Sequence, residues 1–345
     1  MKKKILTDTA IIQCPKWGEE TLLTEDIYCF FSKYMVMPIF GKRAKRVLDL
    51  ITMIRNFRHC DLLINSSHKN ALLLALLKRL FGLKWPKQLV LQFMMSEPST
   101  SLAGSVKNYI QKLAYSNVDF IFVSSSSEAE EYAQRLGIAQ DRIRFLPFHT
   151  NVVNPMMIPE HKGYFFSAGR SGRDFQTLIR AVEGTNIPLV IVSDQYHAKG
   201  LKVPDYVNIL INIPYQEYVV WLKNCRFVVV PLKKWKRSAG QVVLLEGMGY
   251  GKPVIATEGT GTIDYVQHGY NGITVPPGDP DALRDAIEEI ASDAELSRRI
   301  ARNGLETVKK YHTFELYVDE ILKKATEMIA QNPYPTAAFK NAPTA

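Results

Sequence analysis

Short apolar segments alternate with amphipathic ones along most of the 345-residue chain, and this alternation constrains its fold more than any other feature. Phe120–Ser124 and Val254–Thr257 are apolar and of strand length, whereas Pro280–Ser292 has apolar residues at helical spacing. Strands that alternate with helices form parallel sheets covered on both faces. Because 345 residues suffice for about two domains, we predict an α/β fold of two doubly wound, Rossmann-like domains. Their strands should end at a shared cleft that holds the ligand.

The domain boundary is predicted within the irregular segment Phe148–Lys162, where Pro155 and Pro159 interrupt helices. Residues 1–155 then form the first domain and residues 156–331 the second. The last helix, at about residues 313–331, could cross back to the first domain. The Pro- and Ala-rich tail, residues 332–345, is expected to be unordered.

The positive charge of the chain is concentrated in its first half. The net charge is +9, of which residues 1–165 carry +8. This asymmetry indicates an anionic partner, although a merely solubilising surface is the alternative. Gly41–Arg58 and the leucine-rich segment Asn70–Trp85 could rest on an anionic membrane surface; the latter could equally pack as core. The basic residues follow no known nucleic-acid-binding motif, so no nucleic-acid partner is expected.

Sequence features also bear on where the protein works. No window approaches the roughly 18 uncharged apolar residues needed to span a bilayer, and Asp8 interrupts the apolar stretch after the N-terminal lysines. The four cysteines form no CxxC pair, which excludes a zinc ribbon and is typical of a reducing compartment. We expect a cytoplasmic protein that could lie at the inner face of the membrane.

The most informative stretch is Val228–Thr257, in which an apolar strand, a basic loop and a helix follow one another. Free amides at the start of that helix, near Gly240, form an anion site, and Gly240 lets an anion approach the backbone. Glu246 lies one to two turns further on, where a carboxylate could accept hydrogen bonds from a ribose diol. An ordinary helix with a surface glutamate is the alternative.

A second candidate site follows the strand that begins at Tyr164. Gly169-Arg170-Ser171-Gly172-Arg173 forms a turn at the carboxyl end of this strand, before Asp174 opens a helix. Two arginines in such a turn can hold a diphosphate through bidentate contacts and full charge. The alternative is a solvated basic turn.

Together these stretches resemble a known family. Phe227–Ala291 combines the strand, the glycine-led helix, Gly-Lys-Pro-Val-Ile-Ala-Thr, Asn-Gly and Pro-Pro-Gly-Asp in one order. This pattern is similar to the carboxyl domain of the retaining glycosyltransferases of family four, which have the GT-B fold. The resemblance covers most of residues 164–310. Over residues 1–163 it is mainly architectural, with one match at Phe120–Leu136.

The resemblance implies roles for the matched residues. Glu246 corresponds to the second of two family glutamates, which holds the donor ribose; Ser238 stands where the first contacts the donor hexose. Arg170 and Arg173 correspond to the arginine and lysine that bind the donor diphosphate. The predicted catalytic residues are Arg170, Arg173 and Glu246. The predicted donor-binding residues are Gly169, Asn212, Ile213, Ser238, Gly240, Gln241, Val242, Val243 and Glu246.

Two features of the family are missing from the first half. The glycine-rich loop after the first strand is absent, and no histidine follows the Gln88–Phe93 strand. His68 and Glu97 are the remaining candidates to orient an acceptor, although His68 could be a plain loop residue.

The resemblance implies a hexosyltransferase that moves sugar from a nucleoside-diphosphate sugar to a glycan or lipid-linked acceptor, with retention of anomeric configuration. This activity belongs to cell-surface polysaccharide or glycolipid synthesis. We expect neither a metal nor a cofactor, since two arginines can balance the leaving phosphate. One alternative is a sugar-nucleotide epimerase of GT-B fold. The other, prompted by Ser238, is a catalytically silent nucleotide- or glycan-binding protein.

Overall fold

A computed structural model describes residues 5–7, 60–84, 86–95, 97 and 101–331. The chain divides into two compact units. Unit 1 contains the described residues up to Val123, together with Ala129–Arg144 and the chain from Val318 onward. Unit 2 contains Ser124–Glu128 and Phe145–Tyr317.

The described part of unit 1 is built on a five-stranded sheet with the order β1-β2-β3-β4-β5. Strands β1 to β4 pair in parallel, with Thr7 opposite Ile64 and Asn65 opposite Val90. The helices begin where serine side chains accept backbone N–H bonds, as Ser67 and Ser101 do. The strands are β1 (Ile5–Thr7), β2 (Leu62–Asn65), β3 (Lys87–Val90), β4 (Phe120–Val123) and β5 (Ile143–Phe145). The helices are α1 (His68–Leu80), α2 (Leu102–Tyr115) and α3 (Ser126–Leu136), with a 3₁₀ turn at Gln140–Arg142.

Unit 2 carries a six-stranded parallel sheet. Its strands are β6 (Phe165–Ala168), β7 (Leu189–Ser193), β8 (Val207–Ile211), β9 (Phe227–Val230), β10 (Val254–Thr257) and β11 (Ile273–Val275). Its helices are α4 (Phe175–Val182), α5 (Gln195–Ala198), α6 (Tyr215–Asn224), α7 (Gln241–Gly249), α8 (Pro280–Ser292) and α9 (Ala294–Tyr311); α10 (Phe314–Ala330) continues into unit 1. The strand order is β11-β10-β9-β6-β7-β8, so the winding reverses between β6 and β9. Ligands of such sheets bind at the carboxyl ends of the strands beside this reversal.

Both faces of the unit 2 sheet are covered by apolar side chains. Phe165, Val229 and Ile255 face one core, against α4 and α8. Phe166, Val228 and Val254 face the other, against α7. Helix α7 is buried along most of its length, and this packing fixes the position of its first turn relative to the sheet. The predicted α/β fold with parallel sheets is therefore confirmed.

The unit boundary and two short elements differ from the sequence-based expectation. Phe145 and Phe148 pack against the unit 2 core, so the division lies at 144/145 rather than at the predicted 155/156. Helix α5 and the 3₁₀ turn were not predicted, because single turns are too short to show periodicity. The basic segment Gly41–Arg58, most of the apolar stretch after the N-terminal lysines and the tail at 332–345 lie outside the described residues.

The leucine-rich helix α1 is buried along part of its length and exposed at its end. Ala71, Leu74 and Ala75 are buried, whereas Leu80 at its end is 77% exposed and Phe81 just after it 71% exposed. No helix within the described ranges is both long and apolar enough to cross a bilayer.

Candidate functional site

A cavity of about 490 Å³ opens in unit 2 at the carboxyl ends of β6, β7 and β8. This volume is within the usual range for a small-molecule site. The cavity lies beside the reversal of strand order, where a doubly wound sheet is expected to bind its ligand. It is lined by Ala168, Gly169, Arg170, Arg173, Val192, Ser193, Asn212, Ile213, Tyr215, Tyr218, Val242, Val243 and Glu246.

The turn after β6 folds the Arg173 side chain back onto the end of its own strand. Arg173 Nε donates to the Ala168 carbonyl at 2.7 Å, and Nη1 donates to the Ser171 carbonyl at 3.3 Å. Gly169 has a φ of +128°, and a side chain there would overlap the Arg173 guanidinium. The glycine at 169 therefore provides both the backbone conformation and the space that Arg173 needs.

Arg173 is a cation without an acidic partner among the described residues. Its guanidinium forms no ion pair with any carboxylate of the described chain. Burial lowers the pKa of Arg173 to about 10, so the side chain is still charged at neutral pH. A desolvated charge compensated only by carbonyl dipoles favours the binding of an anion.

Arg170 lies at the exposed rim of the cavity. Its Nε is 3.6 Å from Asp194 Oδ2, and its side chain is 66% exposed. Asp194 also caps α5, and the bond that it accepts from the His197 amide lowers the pKa of its carboxyl group. The Arg170 side chain is thus held loosely, at an exposed ion pair of small energetic weight.

Glu246 lines the same cavity from the second turn of α7, and its carboxylate accepts bonds from several donors. Its Oε1 accepts bonds from Asn151 Nδ2 at 2.8 Å and the Tyr215 hydroxyl at 3.0 Å. Its Oε2 accepts a bond from the Tyr218 hydroxyl at 2.6 Å. Only 1% of Glu246 is exposed, so the alternative of a surface glutamate is wrong. The three donors hold the buried carboxylate in one orientation.

The start of α7 contributes to the cavity through Val242 and Val243, whereas Gly240, Gln241 and Ser238 do not line it. Gly240 precedes the helix with a φ of +98°, a conformation that favours glycine. The Gln241 side-chain nitrogen is buried without an acceptor in the described structure. A donor without an acceptor at a helix start is a further feature that suits an anion.

Asn212 and Ile213 follow β8 and line the cavity opposite α7. Asn212 has a φ of +52°, a left-handed conformation that asparagine tolerates better than most residues. Its amide donates to the Ser193 carbonyl at 2.9 Å, which fixes the turn. Eight of the predicted catalytic and donor-binding residues therefore line one cavity, and the other three, Ser238, Gly240 and Gln241, do not.

The two candidate acceptor residues are in unit 1. His68 begins α1, and its Nε2 donates to the Gln92 carbonyl at 3.0 Å, which fixes the tautomer. His68 also stacks on Phe93, with 6.1 Å between ring centroids. One oxygen of Glu97 is buried without a hydrogen-bond partner in the described structure.

Sequence reasoning missed the two tyrosines that hold Glu246. Tyr215 and Tyr218 are three residues apart on α6, so they share one face, and their rings stack at 5.7 Å between centroids. Their spacing, directly after the predicted Asn212 and Ile213, was the available signal. Within the described ranges, no group of three His, Cys, Asp or Glu side chains is arranged to hold a metal ion.

Comparison with known proteins finds a family model that matches part of unit 2. Residues 155–307 match the model of the family "Glycosyl transferases group 1". An uncharacterized glycosyltransferase of Methanocaldococcus jannaschii is 28% identical over 221 residues, which cover 61% of this chain and 60% of the relative. The O-antigen chain mannosyltransferase C of Escherichia coli is 26% identical over 175 residues, covering 48% of this chain and 46% of the relative. The chain thus spans less than two thirds of the length of these curated relatives.

A solved structure extends the likeness to the fold. The crystal structure of HepE from Anabaena in complex with UDP and glucose superposes with a TM-score of 0.66 at 16% identity, covering 84% of either chain. At that identity the likeness concerns the fold alone. Residues 155–307 of the chain thus match the glycosyl transferases group 1 family, and the chain has the GT-B fold.

Proposed function

We propose that the protein is a retaining, metal-independent hexosyltransferase that uses a nucleoside-diphosphate sugar. Its acceptor would be a glycan or a lipid-linked glycan in the synthesis of cell-surface polysaccharide or glycolipid. The observation that carries this proposal is Arg173, a charged and largely desolvated guanidinium with no carboxylate partner in the described chain. It lines the same cavity as Glu246, which offers a carboxylate opposite the cation.

The charged side chains that line the cavity, Arg170, Arg173 and Glu246, suit transfer of a sugar from a diphosphate. The bond between the anomeric carbon and a phosphate oxygen breaks, and the electron pair stays on the departing diphosphate. Arg173, Arg170 and the amides at the start of α7 can stabilise the negative charge that grows there. With retention, the acceptor oxygen attacks from the face that the phosphate leaves. A departing phosphate oxygen can then take the acceptor proton.

Glu246 would hold the ribose of the donor. Its two oxygens are bonded to Asn151, Tyr215 and Tyr218 in the ligand-free protein. Tyr215 is 52% exposed and lines the cavity, so its hydroxyl can yield its place to a ribose hydroxyl. Asn151 and the less accessible Tyr218 would remain to orient the carboxylate.

The similar proteins support the substrate class. The Escherichia coli relative is named as an O-antigen chain mannosyltransferase, and HepE was crystallised with UDP and glucose. The shared family model covers the unit 2 segment that carries Arg170, Arg173 and Glu246. These likenesses favour a nucleotide sugar over other phosphate esters that the cavity could hold.

A membrane surface is the proposed location of the acceptor, with the protein at the inner, cytoplasmic face. Exposed Leu80 and Phe81 follow one another at the end of α1, and Leu83 is 41% exposed. Arg79 and Lys84 flank these residues in the sequence. Apolar residues next to cations bind anionic bilayers through insertion and electrostatic attraction.

The donor proposal is tested by thermal unfolding with UDP, GDP, ADP and their hexose conjugates. A ligand present at 100 times its Kd should stabilise the protein by about 2.7 kcal/mol. Hydrolysis of the preferred nucleotide sugar, with or without a glycan acceptor, would then distinguish a transferase from a silent binder. Failure of every nucleotide to raise the melting temperature contradicts the proposal.

The membrane proposal is tested separately by sedimentation with phosphatidylglycerol vesicles. A smaller fraction of the double variant Leu80→Ser/Phe81→Ser than of the wild type should sediment with the vesicles. Added salt should lower the fraction of wild-type protein that sediments. Ile263→Ser, which changes an equally exposed apolar residue in unit 2, is the matched control. Equal binding by the double variant and the control would contradict the proposal.

A further inference from the structure

The five-residue segment Ser124–Glu128 belongs to unit 2, although it lies in the sequence between β4 and the body of α3. It forms hydrogen bonds with three residues in loops of unit 2, which are Tyr265, Asp264 and Ser238. The Tyr265 hydroxyl donates to the Ser124 carbonyl at 2.7 Å. Ser125 Oγ and the Ser126 amide donate to Asp264 Oδ2 at 2.7 and 2.9 Å. The serine run thus provides donors for one carboxylate.

Glu128, the last residue of this segment, accepts hydrogen bonds from Ser238. The Ser238 amide donates to Glu128 Oε1 at 2.8 Å, and the Ser238 hydroxyl donates to Glu128 Oε2. Glu128 is 1% exposed. A buried carboxylate that accepts bonds from both the backbone and the side chain of one residue restricts that residue strongly.

Ser238 leads directly into the start of α7. Gly240 is fixed by its positive φ, and the loop carrying Gly261 approaches the Ala239 backbone so closely that no side chain fits at 261. Two residues beyond Gly240, Val242 and Val243 enter the cavity. Ser238 thus connects Glu128 to the segment that leads into the first amides of α7.

We propose that Glu128 is a positioning residue that holds the start of α7 in its anion-binding geometry; this rests on the proposed use of a nucleotide sugar. Glu128 does not line the cavity and is almost fully buried, so it acts through Ser238 rather than on the substrate. The serine at 238 is part of the same arrangement. A glutamate there would place a second carboxylate beside Glu128, and two like charges in a buried site repel each other.

The departure from the family at position 238 thus has a structural explanation. Where the resemblance implies a carboxylate at 238, this chain has a hydroxyl that donates to a carboxylate from another element. A carboxylate at 238 should accordingly be tolerated only when Glu128 is replaced at the same time. This gives the proposal a consequence that does not depend on catalysis.

The first test measures binding of the nucleotide that stabilises the wild type most, by titration calorimetry. Glu128→Ala should weaken binding at least five-fold and raise the donor KM more than it lowers kcat. Glu128→Gln should stay within two-fold of wild type, because its amide can accept from the Ser238 amide and donate to the hydroxyl. Glu130→Gln, an exposed residue of the same helix, is the control. Wild-type affinity and KM in Glu128→Ala would overturn the proposal.

The second test measures melting temperature and needs no ligand. Ser238→Glu should lower it, and the exchanged pair Glu128→Ser/Ser238→Glu should recover most of the loss. If the exchanged pair melts no higher than Ser238→Glu, the proposal is overturned. If no nucleotide binds the wild type, the proposed function fails. The melting temperature of the exchanged pair still shows whether Glu128 and Ser238 depend on each other. If Glu128→Ala does not fold, Ser238→Ala replaces it in the binding measurement, because this variant loses the hydroxyl bond to Glu128 and keeps the backbone bond.

Discussion

The Tyr218 hydroxyl donates a 2.6 Å hydrogen bond to Glu246 Oε2, across the wall of the unit 2 cavity. Burial, followed by the charge of Glu246, raises the pKa of Tyr218 well above its ordinary value. The same causes raise the pKa of Tyr215. Both phenols therefore remain protonated donors wherever the protein is folded, and the carboxylate is held in one orientation before any ligand arrives.

Replacement of the two tyrosines, one at a time, should show that Tyr218 mainly stabilises the fold around Glu246 and that Tyr215 mainly affects nucleotide binding. Tyr218→Phe removes the less exposed donor and should lower the free energy of unfolding by about 1.5–3 kcal/mol, the range for bonds to charged groups. Tyr215→Phe should cost less and should leave nucleotide affinity equal or higher, because a hydroxyl that competes with ribose is gone. Chemical denaturation and calorimetry measure these effects, with the exposed Tyr196→Phe as control. Nucleotide binding more than five-fold weaker in Tyr215→Phe would contradict displacement of Tyr215.

Arg173→Ala should separate catalysis from stability. Removal of one preorganised charge contact typically lowers turnover by about 10²–10³-fold. The melting temperature should change little, because a desolvated cation without an acidic partner stabilises the fold weakly. Arg180→Ala, an exposed residue of α4, is the matched control for steady-state kinetics. Wild-type turnover in Arg173→Ala would exclude a role for this residue in leaving-group stabilisation.

Two glycines in one loop should respond differently to alanine. A Cβ at Gly261 would overlap the backbone of Ala239, whereas a Cβ at Gly259 meets no atom within 4 Å. Gly261→Ala should therefore displace the segment before α7 and weaken nucleotide binding at least ten-fold. Gly259→Ala should leave the affinity unchanged. Calorimetric titration of both variants checks this, and equal affinities would show that the close approach at 261 does not shape the site.

Two histidines should make unit 2 sensitive to mild acid. Burial lowers the pKa of His149 and of His312. A bond to the Phe148 carbonyl opposes this at His312, and a bond to the Thr150 carbonyl, followed by the charge of Glu315, opposes it at His149. Their folded-state pKa values lie below the unfolded value of about 6.5. Their contribution to stability is therefore complete above about pH 7 and is lost as the pH falls through 6.5 toward the folded values.

Melting temperatures between pH 8 and pH 5 measure this dependence. The wild type should lose more stability over that range than His312→Gln, in which one of the two groups no longer titrates. His161→Gln removes an exposed imidazole whose pKa is also lowered by burial, and it should reduce the pH dependence less than His312→Gln, which removes a buried one. An identical slope for His312→Gln and wild type would show that His312 does not contribute.

Local sequence was sufficient for the elements and for one wall of the cavity. Continuous apolar runs such as Val228–Val230 are typical of strands that are buried on both faces. Asp174 and Asp279 indicate where helices begin, because their side chains accept bonds from the first backbone amides. Glycines at 169 and 240 marked the turns because few other residues adopt their positive φ values. The alternation of strands and helices then implied a parallel sheet, and with it the edge at which a ligand binds.

Tertiary structure alone decided which groups meet there. Asn151 reaches Glu246 across 95 residues, and Glu128 reaches Ser238 across 110. Neither pair leaves a periodic or local signal in the sequence, because the energy of a buried hydrogen bond depends on distance in space and not on separation along the chain. The sequence by itself determined the strands, the helices and the charges that they present. Which of those charges stays without a partner, as Arg173 does in the described structure, is a consequence of packing.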